Sequence, residues 1–173
     1  MKKISVSLLF LTLLGFSSYA SSQERKTGEL RITSPVVDRE ISRKYACDGE
    51  NINPPLEIRN VPPQAKSLAL ILDDLDAPRG SFVHWILWNI DPRIGELQEN
   101  SIPTGAVQGT NDFKKQSYGG PCPPSRAHRY VFKVFALDTR LSLGLDSTKV
   151  DLQRAMQGHV IAEGQMIARY KRK

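Results

Sequence analysis

The sequence lacks the short motifs that define the commonest enzyme classes. Its 173 residues contain no GxSxG elbow, no HExxH pair, no Walker loop and no dinucleotide-binding GxGxxG. These absences argue against motif-defined serine hydrolases, zinc hydrolases, P-loop enzymes and dinucleotide-dependent oxidoreductases. The chain also has only three histidines, His84, His128 and His159, so few side chains can carry acid–base chemistry near neutral pH.

Cysteine is scarce as well. The two cysteines, Cys47 and Cys122, lie far apart and form no CxxC pair, which argues against a zinc site. In an exported chain an even count favours one disulfide, whereas two buried free thiols or a metal pair are the alternatives. Cys122 as a nucleophile with His128 as its base is disfavoured, because Cys122 lies between prolines and has Cys47 as a partner.

Long hydrophobic runs are absent except near the N-terminus. Lys2 and Lys3 precede an apolar run over residues 4–16, and Ser18-Tyr19-Ala20 follows it. This order predicts a signal peptide over 1–20 with cleavage after Ala20, and hence a periplasmic or secreted protein. An uncleaved membrane anchor is the alternative, but the run is shorter than the roughly 20 residues that span a bilayer. Residues 21–29 are polar and predict a flexible segment before a single domain over 30–173.

The charge is mildly basic. The chain carries 24 Lys and Arg against 18 Asp and Glu, a net charge of +6, and loss of Lys2 and Lys3 with the signal peptide lowers it to +4. Part of this excess lies in the final stretch RYKRK (169–173), which is typical of a solvated end but can also contact nucleic acid or anionic lipid. Since no basic stripe alternates with aromatic residues, we expect no nucleic-acid partner.

The residues that are present predict a mainly β protein. Short apolar segments with strand-like patterns are separated by turns rich in Pro, Gly and Asp. The predicted strands are LRIT (30–33), LEIRN (56–60), SLALILDD (67–74), FVHWILWNI (82–90), YVFKVFALD (130–138) and HVIAEGQMIARY (159–170). One helix is predicted over VDLQRAMQ, with Ser147 as its cap and Gly158 after its end. Many strands with few helices predict an antiparallel β-sandwich with a small C-terminal helix and peripheral short helices.

One group of polar residues stands out at strand ends. Asp73, Asp74 and Asp76 follow the strand SLALIL, and the following Ala77-Pro78 can place a cis-proline turn there. Three crowded carboxylates must be hydrated or paired, since buried like charges are costly. A solvated acidic turn is the plain alternative.

The histidines complete this pattern. His84 lies inside the strand FVHWILW, and His128 immediately precedes YVFKVFAL. A strand histidine is commonly a satisfied core residue, so neither position indicates a site alone. The Asp and His spacing lacks the i,i+2 or i,i+4 pairs of a metal site, and no metal or cofactor is expected. The residues by themselves therefore indicate an Asp/His pocket as one possibility.

Five motifs in register resemble those of the phosphatidylethanolamine-binding protein family, also called the Raf-kinase-inhibitor-like family. Two are shared by the whole family: SLALILDDLDAPRGSFVHWILWNI (67–90) and GGPCPPSRAHRYVFKVFALD (119–138). Three are similar to its bacterial branch: CDGENINPPL (47–56), QGTNDF (108–113) and QGHV (157–160). The resemblance covers about residues 30–170.

The resemblance implies an antiparallel β-sandwich with a small, rigid surface pocket for anions such as phosphate, phosphoethanolamine or a phosphorylated side chain. Carried over by position, the pocket residues are Asp74, Asp76, His84, Gly119, Gly120, Pro121, His128 and Tyr130. The histidines and the backbone N–H groups of the glycine loop would donate to the anion, and the aspartates would raise the histidine pKa values or receive an ammonium group. Paired Cys47 and Cys122 would pin the rim. Leu75 departs from the family pattern, which has proline there, and predicts a looser loop.

The resemblance therefore predicts a non-catalytic binding protein for a small anionic or zwitterionic phospho-ligand, without a transmembrane anchor. The alternatives are an inhibitor that acts on a protease or another protein partner, and a weak hydrolase that uses His and Asp as acid and base.

Overall fold

A computed structural model describes residues 29–173 and contains eight strands, one α-helix and one short 3-10 helix in that part of the chain. The predicted signal peptide (1–20), and the segment 21–29 except its last residue, lie outside the described residues. The elements are β1 (Arg31–Thr33), the 3-10 helix (Arg43–Tyr45), β2 (Leu56–Arg59), β3 (Ser67–Asp74), β4 (Phe82–Ile90), β5 (Glu96–Leu97), β6 (Val107–Gln108), β7 (His128–Leu137), α1 (Lys149–Met156) and β8 (Val160–Tyr170). Among the residues described, no helix is long and apolar enough to cross a membrane.

The strands form two antiparallel sheets. The smaller has the order β1-β2-β5, and the larger has the order β6-β4-β3-β7-β8. In the larger sheet Asp74 pairs with both Phe82 and Tyr130, so the end of β3 meets the starts of β4 and β7. The mainly β sandwich predicted from the sequence is therefore confirmed. Strands β5 and β6 were not predicted, because two-residue strands carry no periodic pattern.

The large sheet is covered on both faces. Leu70, Trp85 and Phe132 belong to the core that it shares with the small sheet. On the opposite face Ile71 and Trp88 belong to a second core that includes residues of α1. Burial on both faces explains why β3 and β4 are continuous apolar runs instead of alternating ones.

The N-cap of helix α1 lies one residue later than the sequence indicated. Its N-cap is Thr148, not Ser147, and the Asp151 carboxylate accepts hydrogen bonds from the Thr148 amide (3.0 Å) and hydroxyl (2.7 Å). These bonds satisfy the N–H and hydroxyl donors of the N-cap residue, and they place an acidic group in the first turn, where the helix dipole favours negative charge. Gly158 has φ +78°, which fits the predicted position after the helix end.

Two loop predictions have opposite outcomes. The expected cis-proline at Ala77-Pro78 is wrong, since the described residues contain no cis peptide bond. The disulfide between Cys47 and Cys122 is present and joins positions 75 residues apart. It ties the segment before β2 to the loop that leads into β7.

Candidate functional site

The crowded aspartates at the end of β3 each face a different basic side chain. Asp73 accepts from Lys149 Nζ at 2.6 Å, Asp74 pairs with His128 Nδ1 at 2.7 Å, and Asp76 faces Arg129. Successive residues of a strand point to opposite faces of the sheet, so the side chains of Asp73 and Asp74 lie on different faces. Like-charge repulsion is thus relieved by three separate partners.

The Asp74–His128 pair is almost fully buried. The side chains are 6% and 3% exposed, and His128 Nδ1–H donates to Asp74 Oδ2 at 2.7 Å. The other carboxylate oxygen of Asp74 accepts the backbone N–H of Asp76 at 2.9 Å. Both oxygens of Asp74 are therefore engaged, and the carboxylate fixes the imidazole orientation.

Asp76 has a different role from the one expected. Arg129 donates three hydrogen bonds to its carboxylate: from the backbone N–H at 2.8 Å, from Nε at 2.9 Å and from a terminal nitrogen at 2.7 Å. The Arg129 hydrogen bonds hold the pKa of Asp76 far below its usual range. Asp76 thus holds the turn after β3 against the start of β7, and Arg129 replaces a histidine as its main partner.

His84 is held by the glycine loop. Its Nδ1–H donates to the Gly119 carbonyl at 2.7 Å, and its own carbonyl accepts the Gly119 N–H at 3.0 Å. Burial lowers the pKa of His84, and the Gly119 carbonyl and the Asp74 carboxylate oppose that effect only in part. Asp74 therefore acts on the pKa of His84 in the expected upward direction, but loss of hydration dominates and the net shift is downward.

The glycine loop supplies acceptors and close packing. The Gly119 N–H is bonded to His84, and the Gly120 N–H donates to Asn51 Oδ1 at 2.7 Å. The Pro121 carbonyl accepts the Cys47 N–H at 3.1 Å. In this structure both glycine N–H groups, which were predicted to donate to an anion, donate to protein acceptors.

Glycine is required in this loop for another reason. A Cβ at Gly119 would lie 2.5 Å from the Phe113 ring, and one at Gly120 would lie 2.4 Å from the Tyr45 carbonyl oxygen. Real Cβ contacts are longer, so any side chain would push the loop away. The close approach keeps the Gly119 carbonyl beside His84.

Aromatic rings enclose His84. The Tyr130 and Phe113 rings each lie 5.2 Å from the imidazole centroid in edge-to-face geometry, and Phe82 lies at the same distance. The Tyr130 hydroxyl is buried and forms no hydrogen bond of ordinary geometry among the described residues, and burial, with the nearby Asp74 carboxylate, raises the pKa of Tyr130 above its usual range. An unpaired buried hydroxyl is costly, and a ligand atom is one group that can satisfy it.

Sequence reasoning missed the segment that supports β4. The QGTNDF stretch runs along β4, where Asn111 Nδ2 donates to the His84 carbonyl at 3.1 Å and Asp112 Oδ2 accepts the Val83 N–H at 2.7 Å. Trp85 Nε1 donates to Gln108 Oε1 at 2.8 Å. The motif was visible, but its side-chain partners depend on the fold. Missed too were Lys149 and Arg129, which neutralise Asp73 and Asp76.

The two imidazole rings have the same hydrogen-bonding pattern. Each Nδ1–H has an acceptor, and neither Nε2 has a hydrogen-bond partner among the described residues. A neutral imidazole in this state offers Nε2 as an acceptor, whereas the protonated ring offers an N–H donor. His84 and His128 are each 2% exposed, so only small parts of these side chains contact solvent. Leu75 (40%) and Phe113 (37%) are the exposed apolar residues adjoining them.

No group of three or more His, Cys, Asp or Glu side chains in residues 29–173 is arranged to hold a metal ion. The candidate site consists of the imidazoles of His84 and His128, the carboxylate of Asp74 and the phenol of Tyr130.

These features define a class: a two-sheet antiparallel β-sandwich with a histidine–aspartate cluster at one end of its larger sheet. The profile of the family described as phosphatidylethanolamine-binding protein matches residues 32–171. The chain belongs to the phosphatidylethanolamine-binding protein family.

Individual relatives agree with this assignment. A UPF0098 protein of Methanothermobacter thermautotrophicus is 50% identical over 137 residues, 76% of this chain and 91% of the relative. A UPF0098 protein of Pyrococcus horikoshii is 41% identical over 98% of this chain and 89% of its own length.

Two solved structures share the fold. A phosphatidylethanolamine-binding protein homologue of Chlamydia trachomatis superposes with a TM-score of 0.80 at 39% identity, covering 84% of this chain and 99% of its own. YbcL of Escherichia coli, described as a member of the mammalian family, gives a TM-score of 0.79 at 31% identity with the same coverage.

Proposed function

We propose that the chain is a non-catalytic binding protein whose His84/His128 cluster takes up a phosphate-bearing anionic or zwitterionic group. The observation that carries the proposal is the pair of imidazoles, each oriented through Nδ1 and each with an unpartnered Nε2. Two Nε2–H donors from protonated rings match the oxygens of one phosphate group. The buried Tyr130 hydroxyl, which lies near Asp74, adds a further polar group beside the His84 ring.

Anion binding at this cluster is coupled to proton uptake. Because both Nδ1 atoms already donate to protein acceptors, Nε2 becomes a donor only when the ring gains a proton. The lowered pKa of His84 means that this ring is neutral at pH 7 in the free protein. Affinity for a phosphate dianion therefore rises as the pH falls, because protonation precedes or accompanies binding.

The phosphate group is the recognition element that phosphate and phosphoethanolamine share. The Asp74 oxygens are occupied by His128 and a backbone N–H, and Asp76 is occupied by Arg129. An ethanolamine ammonium therefore finds no unoccupied carboxylate here, and we expect the two ligands to differ little in affinity.

The protein is proposed to act outside the cytoplasm, in the periplasm or after secretion. The Cys47–Cys122 disulfide supports this, because such bonds persist in oxidising compartments. The same bond removes Cys122 as a nucleophile, so the hydrolase alternative loses the one nucleophile considered from the sequence.

Calorimetric titration with phosphoethanolamine and with inorganic phosphate tests the proposal. Wild-type protein should bind both, about tenfold more tightly at pH 5.5 than at pH 7.5, and His84→Gln/His128→Gln should lose both the binding and the pH dependence. Affinity that is flat with pH, or binding that survives the double substitution, would refute it.

A further inference from the structure

A cavity of about 470 Å³ lies at the C-terminal end of β8, next to the start of β7. It is formed by the segment 40–43, by Ala127 and by the end of the chain. Ala127 directly precedes His128, and His128 pairs with Tyr170 across the sheet. The cavity is therefore a neighbour of the histidine cluster but is formed by other residues.

The lining is strongly cationic. Its charged members are Arg43, Arg169, Lys171, Lys173 and Glu40, which gives an excess of three positive charges. Only Arg43 has a described acidic partner, with its Nε 3.5 Å from Asp48 Oδ2. The other three cations have no ion-pair partner among the described residues.

Backbone hydrogen bonds join two of the segments that form the cavity. The Ile41 N–H donates to the Arg169 carbonyl at 2.8 Å, and the Arg169 N–H donates to the Arg39 carbonyl at 2.8 Å. These bonds add residues 39–41 alongside the end of β8 and hold the two walls together. Arg169 is thus presented by a paired strand end, whereas Lys171 and Lys173 follow the end of β8.

Residues 169–173 differ in what they face. Arg169, Tyr170, Lys171 and Lys173 line the cavity, whereas Arg172 is not part of the lining. Arg172 instead lies close enough to Asp48 to contribute to its lowered pKa, an effect due first to the Tyr170 hydrogen bond. Neighbouring cations of the same tail therefore face different surroundings.

We propose that this cavity is a second anion site, which binds a small multivalent phosphate group such as a diphosphate. A concave site with several unpaired cations satisfies the oxygens of a multivalent anion better than those of a single carboxylate. The site contains no histidine, the side chain whose charge ordinarily changes between pH 5 and 8. It is independent of the function proposed above.

Calorimetry with pyrophosphate at pH 7.5 and low salt tests the proposal. Lys171→Gln should weaken binding about fivefold and Arg169→Gln/Lys171→Gln/Lys173→Gln more than about tenfold, whereas the matched neighbour Arg172→Gln should change it less than about twofold. These residues are exposed, and unchanged thermal melting verifies the fold of each variant.

Separate variants distinguish this site from the histidine cluster. Pyrophosphate binding should persist in His84→Gln/His128→Gln. If that variant loses binding, if Arg172→Gln weakens it as much as Lys171→Gln, or if wild type does not bind, the second site is refuted.

Co-sedimentation with phosphatidylglycerol vesicles identifies the source of the phosphate group that the second site binds. Binding to vesicles that pyrophosphate displaces indicates a lipid headgroup, and binding of pyrophosphate alone indicates a soluble ligand.

Discussion

At the scale of single residues, the contact at one ring nitrogen decides what the other nitrogen can do. His84 gives its Nδ1–H to a carbonyl, and His128 gives its Nδ1–H to a carboxylate. Both rings therefore present Nε2, but only the Asp74 carboxylate compensates a full positive charge at hydrogen-bond distance. Two histidines that look equivalent in the sequence thus differ in what stabilises their charged form.

The two aspartates of the DLD stretch provide a direct comparison. Asp74→Asn should weaken phosphate binding about tenfold, because the amide no longer compensates a charged His128 ring. Asp76→Asn should change affinity less than about twofold, since its carboxylate faces Arg129. Calorimetric titration at pH 5.5 measures both. Equal effects of the two substitutions would contradict this assignment.

The glycine loop is sensitive to a single methyl group. Gly120→Ala should lower the free energy of unfolding by about 1–3 kcal/mol, because its Cβ would meet the Tyr45 carbonyl at 2.4 Å and Asn51 Oδ1 at 2.6 Å. Gly144→Ala is the control, since its Cβ would meet only the flexible Asp146 carboxylate. Urea denaturation compares them, and equal losses would show that the close approach at Gly120 is unimportant.

At the scale of elements, hydrophobic sequence patterns predicted the strands well where both faces of the strand are buried. The runs 67–74 and 82–90 match β3 and β4 residue for residue, because a strand that is buried on both faces must be apolar throughout. Strand β7 begins at His128, two residues before the predicted start, since Arg129 is exposed and breaks the apolar pattern.

The candidate site was predictable only as a set of residue types. The end of β3 and the start of β7 bring Asp74 and His128 together, which strand order alone can indicate. The acceptor for His84 is a backbone carbonyl 35 residues away, and no side-chain pattern encodes it. For the same reason the sequence could not assign Arg129 to Asp76, or Lys149 on α1 to Asp73.

The helix contact with the sheet depends on that last pair. Lys149→Met should cost about 3–5 kcal/mol of unfolding free energy, because it leaves the buried Asp73 carboxylate, 2% exposed, without its cation. Arg154→Met, on the same helix and 70% exposed, should cost less than about 0.5 kcal/mol. Denaturant titration measures both losses. A loss below 1 kcal/mol for Lys149→Met would show that Asp73 does not need the lysine.

At the scale of the whole molecule, the histidine cluster links folding, pH and binding. The pKa of His84 is lowered in the folded protein, so the unfolded chain binds more protons below its ordinary pKa of 6.5. The stability contributed by neutral His84 is fully present above pH 6.5 and is lost as the pH falls from there through the lower pKa of the folded state. Under the proposed function a bound anion would oppose this trend, because it would favour the protonated ring.

Thermal unfolding between pH 7.5 and 5.5 tests this linkage. Wild type should lose stability as the pH falls, His84→Gln should lose less, and added phosphate should protect wild type more at pH 5.5 than at pH 7.5. Identical pH slopes for the two proteins would show that His84 titrates normally in the fold.

The most direct test of the account is an NMR titration of the three imidazoles with phosphoethanolamine, followed through their ring ¹⁵N shifts. His159 is an internal control, since its side chain is 46% exposed and pairs with Asp138 away from the cluster. We expect the Nε2 signal of His84 to move from the unprotonated to the protonated position on binding and that of His128 to lie at the protonated position in the complex, while His159 stays unchanged. Unchanged Nε2 signals for His84 and His128 at saturating ligand would contradict the proposed binding site.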